Sequence, residues 1–267
     1  MAVSMADIQH LRKMSGAGMM DCKKALEEAN GDQDKAMEII RAKGQALAAK
    51  RQDRDAAEGC VLAGSNGDFA AIVAIKCETD FVGMTKAILD LALAQKPATL
   101  EELLALDLNG TSVSETILNR SGITGEKMEL GYYETATGET AIAYIHPGNK
   151  LATIVAFNQA GIDAQIGKDV AMQVAAMAPV AVTRDEVPAN IVEEEFRVAR
   201  EKAREEGKPE NMLDKIAEGR INKFYKESVL MEQEFVKDPK TTIKQYLQNA
   251  SNGLVATAFK RVTLNAE

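Results

Sequence analysis

The feature that most constrains this chain is that it matches itself. Ala70-Ala71-Ile72-Val73-Ala74-Ile75 falls on Ala152-Thr153-Ile154-Val155-Ala156-Phe157 after a shift of 82 residues (152 − 70 = 82). The same shift, without gaps, places residues 60–63 on 142–145, Ile88 on Val170 and Ala92 on Val174. Each copy reads as strand, turn, strand, loop and helix. The turns are Gly64-Ser65-Asn66-Gly67 and His146-Pro147-Gly148-Asn149, both with hairpin chemistry. The helices are expected at about 85–95 and 167–177, and strands at 128–134 and 259–264 complete the two sheets. The expected fold class is therefore α+β, with two duplicated subdomains at 58–138 and 139–267.

Two segments lie outside the repeat. Residues 1–44 read as three short helices. Ser4 with Asp7 resembles a capping box ahead of Ile8 and Leu11, and Ser15-Gly16-Ala17-Gly18 breaks that helix. Cys22, Ala25, Leu26 and Ala29 recur at i, i+3, i+4 and i+7. Asn30-Gly31 turns the chain, and Ala36, Ile39 and Ile40 mark a third helix ending near Gly44. Residues 45–57 read as a linker, helical or not. Within the second copy, about 190–230, Val192, Phe196, Ala199 and Ala203 form one apolar stripe. Leu213, Ala217, Ile221 and Phe224 form another, after Gly207-Lys208-Pro209. This predicts an antiparallel coiled-coil hairpin whose arms of about 17 residues project roughly 25 Å.

Chemistry is sparse. The only histidines are His10 and His146, and no HExxH, GxSxG or GxxxxGK[ST] motif is present. Gly16-Ala17-Gly18 follows a helix and lacks the third glycine of a dinucleotide fingerprint. Glu193-Glu194-Glu195 are adjacent on a helix and point apart, so they are a solvated face and no acid pair. Cys22, Cys60 and Cys77, three in number and with no CxxC, suit reduced thiols better than disulfides or zinc. No catalytic residue, metal site or cofactor is expected. A net charge of −8 argues against direct nucleic-acid binding. The start lacks a secretory pattern and no apolar run approaches the roughly 20 residues of a membrane span, so a soluble cytoplasmic protein is expected.

What remains is surface for a partner. Met19-Met20 open the second helix, where both cannot point inward, so one faces solvent or a partner. Thr79-Asp80-Phe81-Val82-Gly83 stand at a strand–helix junction; the plainer alternative has Phe81 packing on the following helix and Asp80 capping it. His146 sits in a hairpin turn. Phe235-Val236 suits either core or contact surface.

Four segments in order carry a family resemblance. They are Leu11-Arg12 with Ser15-Gly16-Ala17-Gly18-Met19-Met20-Asp21-Cys22-Lys23-Lys24-Ala25-Leu26, then Glu78-Thr79-Asp80-Phe81-Val82, then Gly207-Lys208-Pro209-Glu210 with Glu218-Gly219-Arg220 and Lys223-Phe224-Tyr225, and finally Gln233, Phe235, Val236 and Lys237. Together they resemble the elongation factor Ts family over nearly the whole chain. The resemblance implies a ubiquitin-associated-like (UBA-like) N-terminal module, a duplicated core and the coiled-coil hairpin. It implies one partner, elongation factor Tu, a GTPase that delivers aminoacyl-tRNA, met in its GDP-bound and nucleotide-free states. By that resemblance Arg12, Met19, Met20 and Lys23 touch the GTPase domain. Thr79, Asp80, Phe81 and Val82 form the exchange loop, with Asp80 and Phe81 near the magnesium site. His146 and Val236 face another domain of the partner.

Two departures stand out. The family carries a longer polar stretch with another aromatic after Val82, whereas Gly83-Met84-Thr85 here leads straight into the helix, which leaves the support and angle of the Asp80-Phe81 loop open. Ser15 replaces a common threonine. The competing reading is an adaptor or holdase that binds through the helical module and coiled coil without affecting nucleotide; GDP release separates the two.

Overall fold

The computed structural model describes residues 3–49, 58–79 and 81–265. The chain divides into two compact units. One comprises Met1–Leu62, Val73–Tyr133 and Leu264–Glu267; the other comprises Ala63–Ile72 and Glu134–Thr263. Helices and strands are mixed throughout, an α+β protein as expected.

The chain opens with three helices, α1 (Met5–Ser15), α2 (Met19–Glu28) and α3 (Gln33–Ala49). Ser4 starts α1 through a complete capping box: its hydroxyl accepts the Asp7 N–H, and the Asp7 carboxylate accepts the Ser4 N–H. Gly16, at φ 72°, ends the helix in the left-handed region where a Cβ would be strained. Ile8, Leu11, Cys22, Ala25, Leu26, Ala36 and Ile40 close the core between the three helices. Here one expectation fails. Gly44 does not stop α3, which runs on to Ala49; the rest of the segment read as linker, 50–57, lies outside the described residues.

The first repeat follows: β1 (Glu58–Asn66), β2 (Phe69–Cys77) and α4 (Val82–Gln95). Strand β1 continues through Asn66, so its turn centres on Gly67, at φ 67°, and Asp68, later than the sequence suggests. Helices α5 (Leu100–Ala105) and α6 (Val113–Thr124) come next, then β3 (Met128–Thr137). The sheet order is β1-β2-β3. The second repeat is β4 (Thr140–Ile145), β5 (Leu151–Phe157) and α7 (Ala164–Met177). Its sheet closes much later, with β8 (Ala256–Thr263), in the order β4-β5-β8 and antiparallel throughout. Between them lie α8 (Ala189–Glu205), α9 (Leu213–Ser228), a small β6–β7 hairpin (Glu234–Phe235 and Asp238–Thr242) and α10 (Ile243–Ala250).

The duplication holds element by element. The offset of 82 separates the starts of β1 and β4 (140 − 58), of β2 and β5 (151 − 69) and of α4 and α7 (164 − 82). Ile88 and Val170 are fully buried, as are Ala92 and Val174. Both helices even end alike: Lys96 and Ala178, again 82 apart, take the left-handed C-cap at φ 50° and 41°.

Helices α5 and α6 are absent from the sequence reading. Each begins with a signal that was available: Thr99 accepts the Glu102 N–H and Ser112 accepts the Glu115 N–H. Their apolar faces are short, which hid them. α6 explains Gly44. A Cβ placed on Gly122 would lie 2.3 Å from the Gly44 Cα, so α3 and α6 touch backbone to backbone. The two glycines are there for close approach, which a sequence pattern cannot distinguish from a helix stop.

Candidate partner-binding site

Phe81 sits at the head of α4 as its N-cap residue, half-buried, with no side-chain capping bond. Its carbonyl accepts the Thr85 N–H at 3.1 Å and the Thr85 hydroxyl at 3.0 Å. The equivalent position in the second copy is Asp163 (163 − 81 = 82), whose carboxylate accepts the Gln165 N–H and caps α7 conventionally. The first copy thus lacks a side-chain cap of a kind worth about 0.5–2 kcal/mol. Asp80, the cap in the plainer alternative, lies outside the described residues.

Glu78, Thr79 and Phe81 are contacted from α6 and the turn beyond it. The Thr79 hydroxyl donates to the Glu126 carboxylate at 2.9 Å. The Lys127 N–H donates to the Glu78 carboxylate at 3.3 Å. The Arg120 guanidinium lies over the Phe81 ring, 5.8 Å from its centroid. No local pattern marks these contacts, because the contacting residues are 39 to 49 positions away in sequence (120 − 81 = 39; 127 − 78 = 49). Val82, the first residue of α4, is 37% exposed.

In the three-helix module the other expected contacts are on the surface. Both methionines face out, Met19 at 40% and Met20 at 62% exposure, where the sequence reading placed only one outside. The reason is that Cys22, Ala25 and Leu26 supply the inner face of α2 and leave no room for either. Met5 and Met14 are exposed as well. Arg12 is exposed, and Lys23 pairs loosely with Glu27 at 3.7 Å. The module residues and the Phe81 loop belong to the same compact unit; His146 and Val236 belong to the other.

His146 is exposed at the tip of the β4–β5 hairpin. Pro147 and positive-φ Gly148 follow it in a turn closed by the Asn149 N–H on the His146 carbonyl at 3.1 Å. Its Nδ1 meets the Tyr144 hydroxyl at 3.1 Å. Phe235 and Val236 differ in burial. Phe235 is buried and stacks on Tyr246 at 4.4 Å, while Val236 is 44% exposed at the tip of the β6–β7 hairpin. That tip is anchored on α7. The Val236 N–H donates to the Gln173 side chain at 2.9 Å, and Lys237 pairs with Asp169 at 2.7 Å. Burial alone would raise the Asp169 carboxyl; hydrogen bonds from Lys237, Tyr246 and Gln165 outweigh it and hold the group below its ordinary value. The Tyr246 hydroxyl is correspondingly pushed up to about 12, by burial first and then by donating to Asp169.

Helices α8 and α9 pack along their predicted stripes, with Ala199, Ala203, Leu213, Ala217 and Ile221 buried. Arg200 of α8 pairs with Asp214 of α9 at 2.7 Å, and in the connection between the helices Glu210 pairs with Arg204 at 2.7 Å and Glu206 with Arg220 at 2.8 Å. Among the described residues no group of His, Cys, Asp and Glu could hold a metal ion, and no helix is long and apolar enough to cross a membrane. Cys22, Cys60 and Cys77 are all buried.

The duplicated core thus carries a half-buried aromatic where its sister copy has a cap. Comparison with known proteins gives the class: this is a translation elongation factor. The family model described as "Elongation factor TS" matches residues 68–266. The chain is 59% identical to elongation factor Ts of Porphyromonas gingivalis, with the whole of each chain covered. It is 54% identical to the Azobacteroides pseudotrichonymphae protein of that name and 44% identical to that of Bacteroides thetaiotaomicron, again over the whole of each. The chain belongs to the elongation factor Ts family. The B. thetaiotaomicron alignment runs to 331 positions, 64 more than the 267 residues here (331 − 267 = 64), so this chain is a short form beside that relative.

Proposed function

We propose that this protein is the guanine-nucleotide exchange factor of elongation factor Tu, acting by binding and without covalent catalysis. Phe81 is the observation that carries the reading: an aromatic held at a helix head where its duplicate has Asp163, a conventional cap. A phenylalanine pressed between helices of a GTPase must separate them, because protein interiors are close-packed. The displacement misaligns the groups around magnesium, whose near-octahedral shell tolerates little distortion. Magnesium then binds less firmly and GDP with it. By linkage, a factor that prefers the nucleotide-free GTPase weakens GDP binding by the same factor. Thr79 and Val82 flank the ring, and Asp80 adds a local negative charge.

The three-helix module is read as UBA-like and as a docking element. Arg12 offers a charged fork, Lys23 a second cation, and Met19 and Met20 adaptable apolar area. His146 and Val236 form a second contact from the other copy, and α8 with α9 forms an antiparallel coiled-coil hairpin. The proposed division remains the module at 1–44, the linker at 45–57, and the copies at 58–138 and 139–267. The partner is met as protein, without direct nucleic-acid contact, in the cytoplasm.

The test is GDP dissociation from elongation factor Tu with and without this protein, and with Phe81→Ala. Wild type should accelerate release, and Phe81→Ala should lower the maximal rate at saturation by at least ten-fold, a contact of hot-spot size. Binding without faster release would leave the adaptor reading in its place.

A further inference from the structure

We propose that Arg120 is a positioning residue for the exchange step: it ties the N-terminal module to the Phe81 ring and sets where that ring stands. The inference rests on the exchange reading and adds a residue outside every segment that carries the family resemblance.

Three observations meet at this side chain. Its guanidinium lies over the Phe81 ring at 5.8 Å from the centroid, within the range of a cation–π contact. The same guanidinium reaches the module: a Cβ on Gly16, the glycine that ends α1 at φ 72°, would be 3.6 Å from the Arg120 Nη1. Its parent helix α6 is itself locked to the module by the Gly44–Gly122 backbone contact. Arg120 also lines a cleft of about 570 Å³ together with Met14, Ser15, Gly83 and Met84, residues of the module's first turn and of the head of α4.

The ring needs such a support. Phe81 leaves α4 without a side-chain cap, and the residues immediately after it are Val82 and Gly83, where Gly83 has open space around it and offers nothing to brace against. The guanidinium can lie over the ring while its Nη1 meets the turn before Met19-Met20. Docking of the module is thereby felt at the ring through one side chain and one helix. A lysine keeps the charge but not the plane, so it should substitute only in part.

The experiment measures stimulated GDP release from elongation factor Tu against factor concentration for wild type, Arg120→Ala, Arg120→Lys, Phe81→Ala and the Arg120→Ala/Phe81→Ala double variant. Arg120→Ala should lower the maximal rate about two- to five-fold, the range of an exposed cation–π contact. The half-saturating concentration should stay near wild type, with Arg120→Lys in between. The double variant should be no slower than Phe81→Ala alone, because Arg120 acts through the ring. Unchanged maximal rate in Arg120→Ala overturns the proposal, and so does full additivity with Phe81→Ala. A fall in melting temperature that accounts for the lost rate also overturns it, by making Arg120 merely structural. If wild type itself gives no stimulation, the exchange reading fails first. The positioning claim is still decided by fluorine NMR of protein labelled with 4-fluorophenylalanine: the Phe81 resonance, assigned by its loss in Phe81→Ala, should shift and narrow in Arg120→Ala, and an unmoved resonance overturns it.

Discussion

Phe81 and Asp163 answer the same structural question in two ways. At a helix N-terminus a carboxylate accepts an orphan N–H and meets the positive end of the helix dipole, while a phenyl ring does neither. The duplicated fold therefore contains its own control for what the ring costs. Phe81→Asp should restore the cap seen at Asp163 and contribute about 0.5–2 kcal/mol, offset by loss of the partial burial of the ring. The expected outcome is a melting temperature equal to or above wild type, with stimulation of GDP release lost. Thermal unfolding and the release assay on the same preparation check it. A large drop in melting temperature would mean that Phe81 serves the core of the free protein and that the wedge mechanism is wrong. A residue placed against local stability and in favour of contact is the pattern expected where stability and function trade off.

At the scale of elements, the β6–β7 hairpin is too short to hold itself. Its two-residue strand pairs with β7 through an irregular register, and it depends on α7 for position. Asp169 is the anchor, accepting from Lys237 at 2.7 Å, from Tyr246 at 2.9 Å and from Gln165 at 2.7 Å. Its carboxyl is held below the ordinary value of 3.8. A depressed folded-state pKa contributes stability that is fully present above the unfolded value and is lost as pH falls through the folded one. Asp169→Asn removes that contribution. The variant should be less stable than wild type at neutral pH, and the difference should shrink as pH falls below about 4. Urea unfolding at pH 7 and at pH 3 reads it; a gap that widens on acidification would contradict the assignment. The same variant should weaken binding through Val236, since the Val236 tip rests on this part of α7.

At the scale of the whole molecule, the three-helix module is of a size that is marginal for independent stability. Its third helix gains a partner in α6. Gly122 decides how close the two come. On helix propensity Gly122→Ala should stabilise the protein by about 1 kcal/mol. On packing, the new methyl would stand 2.3 Å from the Gly44 Cα, against backbone, and must force the helices apart. Overpacking of this kind costs about 1–3 kcal/mol, so packing wins. The variant should melt several degrees lower than wild type, read by calorimetry, and a rise instead would show that α3 and α6 do not touch. Should the proposed role of Arg120 hold, stimulated release should fall as well, because α6 carries both contacts.

The sequence by itself determined a good deal. The self-match at an offset of 82 fixed two α+β copies, because a repeated hydrophobic pattern must bury the same faces twice, and the helix and strand starts follow that offset. The heptad-like stripes placed α8 against α9, and local chemistry at Ser4 with Asp7 placed the first helix start. Phe81 was legible as a candidate from its junction and from its family segment. Tertiary structure alone decided what surrounds it. Arg120, Glu126 and Lys127 reach the loop across 39 or more positions, Gly44 turns out to meet Gly122, and Phe235 is buried while Val236 is not. Periodicity reports which face of a segment is buried, but not which segment buries it. A glycine reads the same whether it ends a helix or admits another backbone, and an arginine over a ring leaves no periodic trace in the chain.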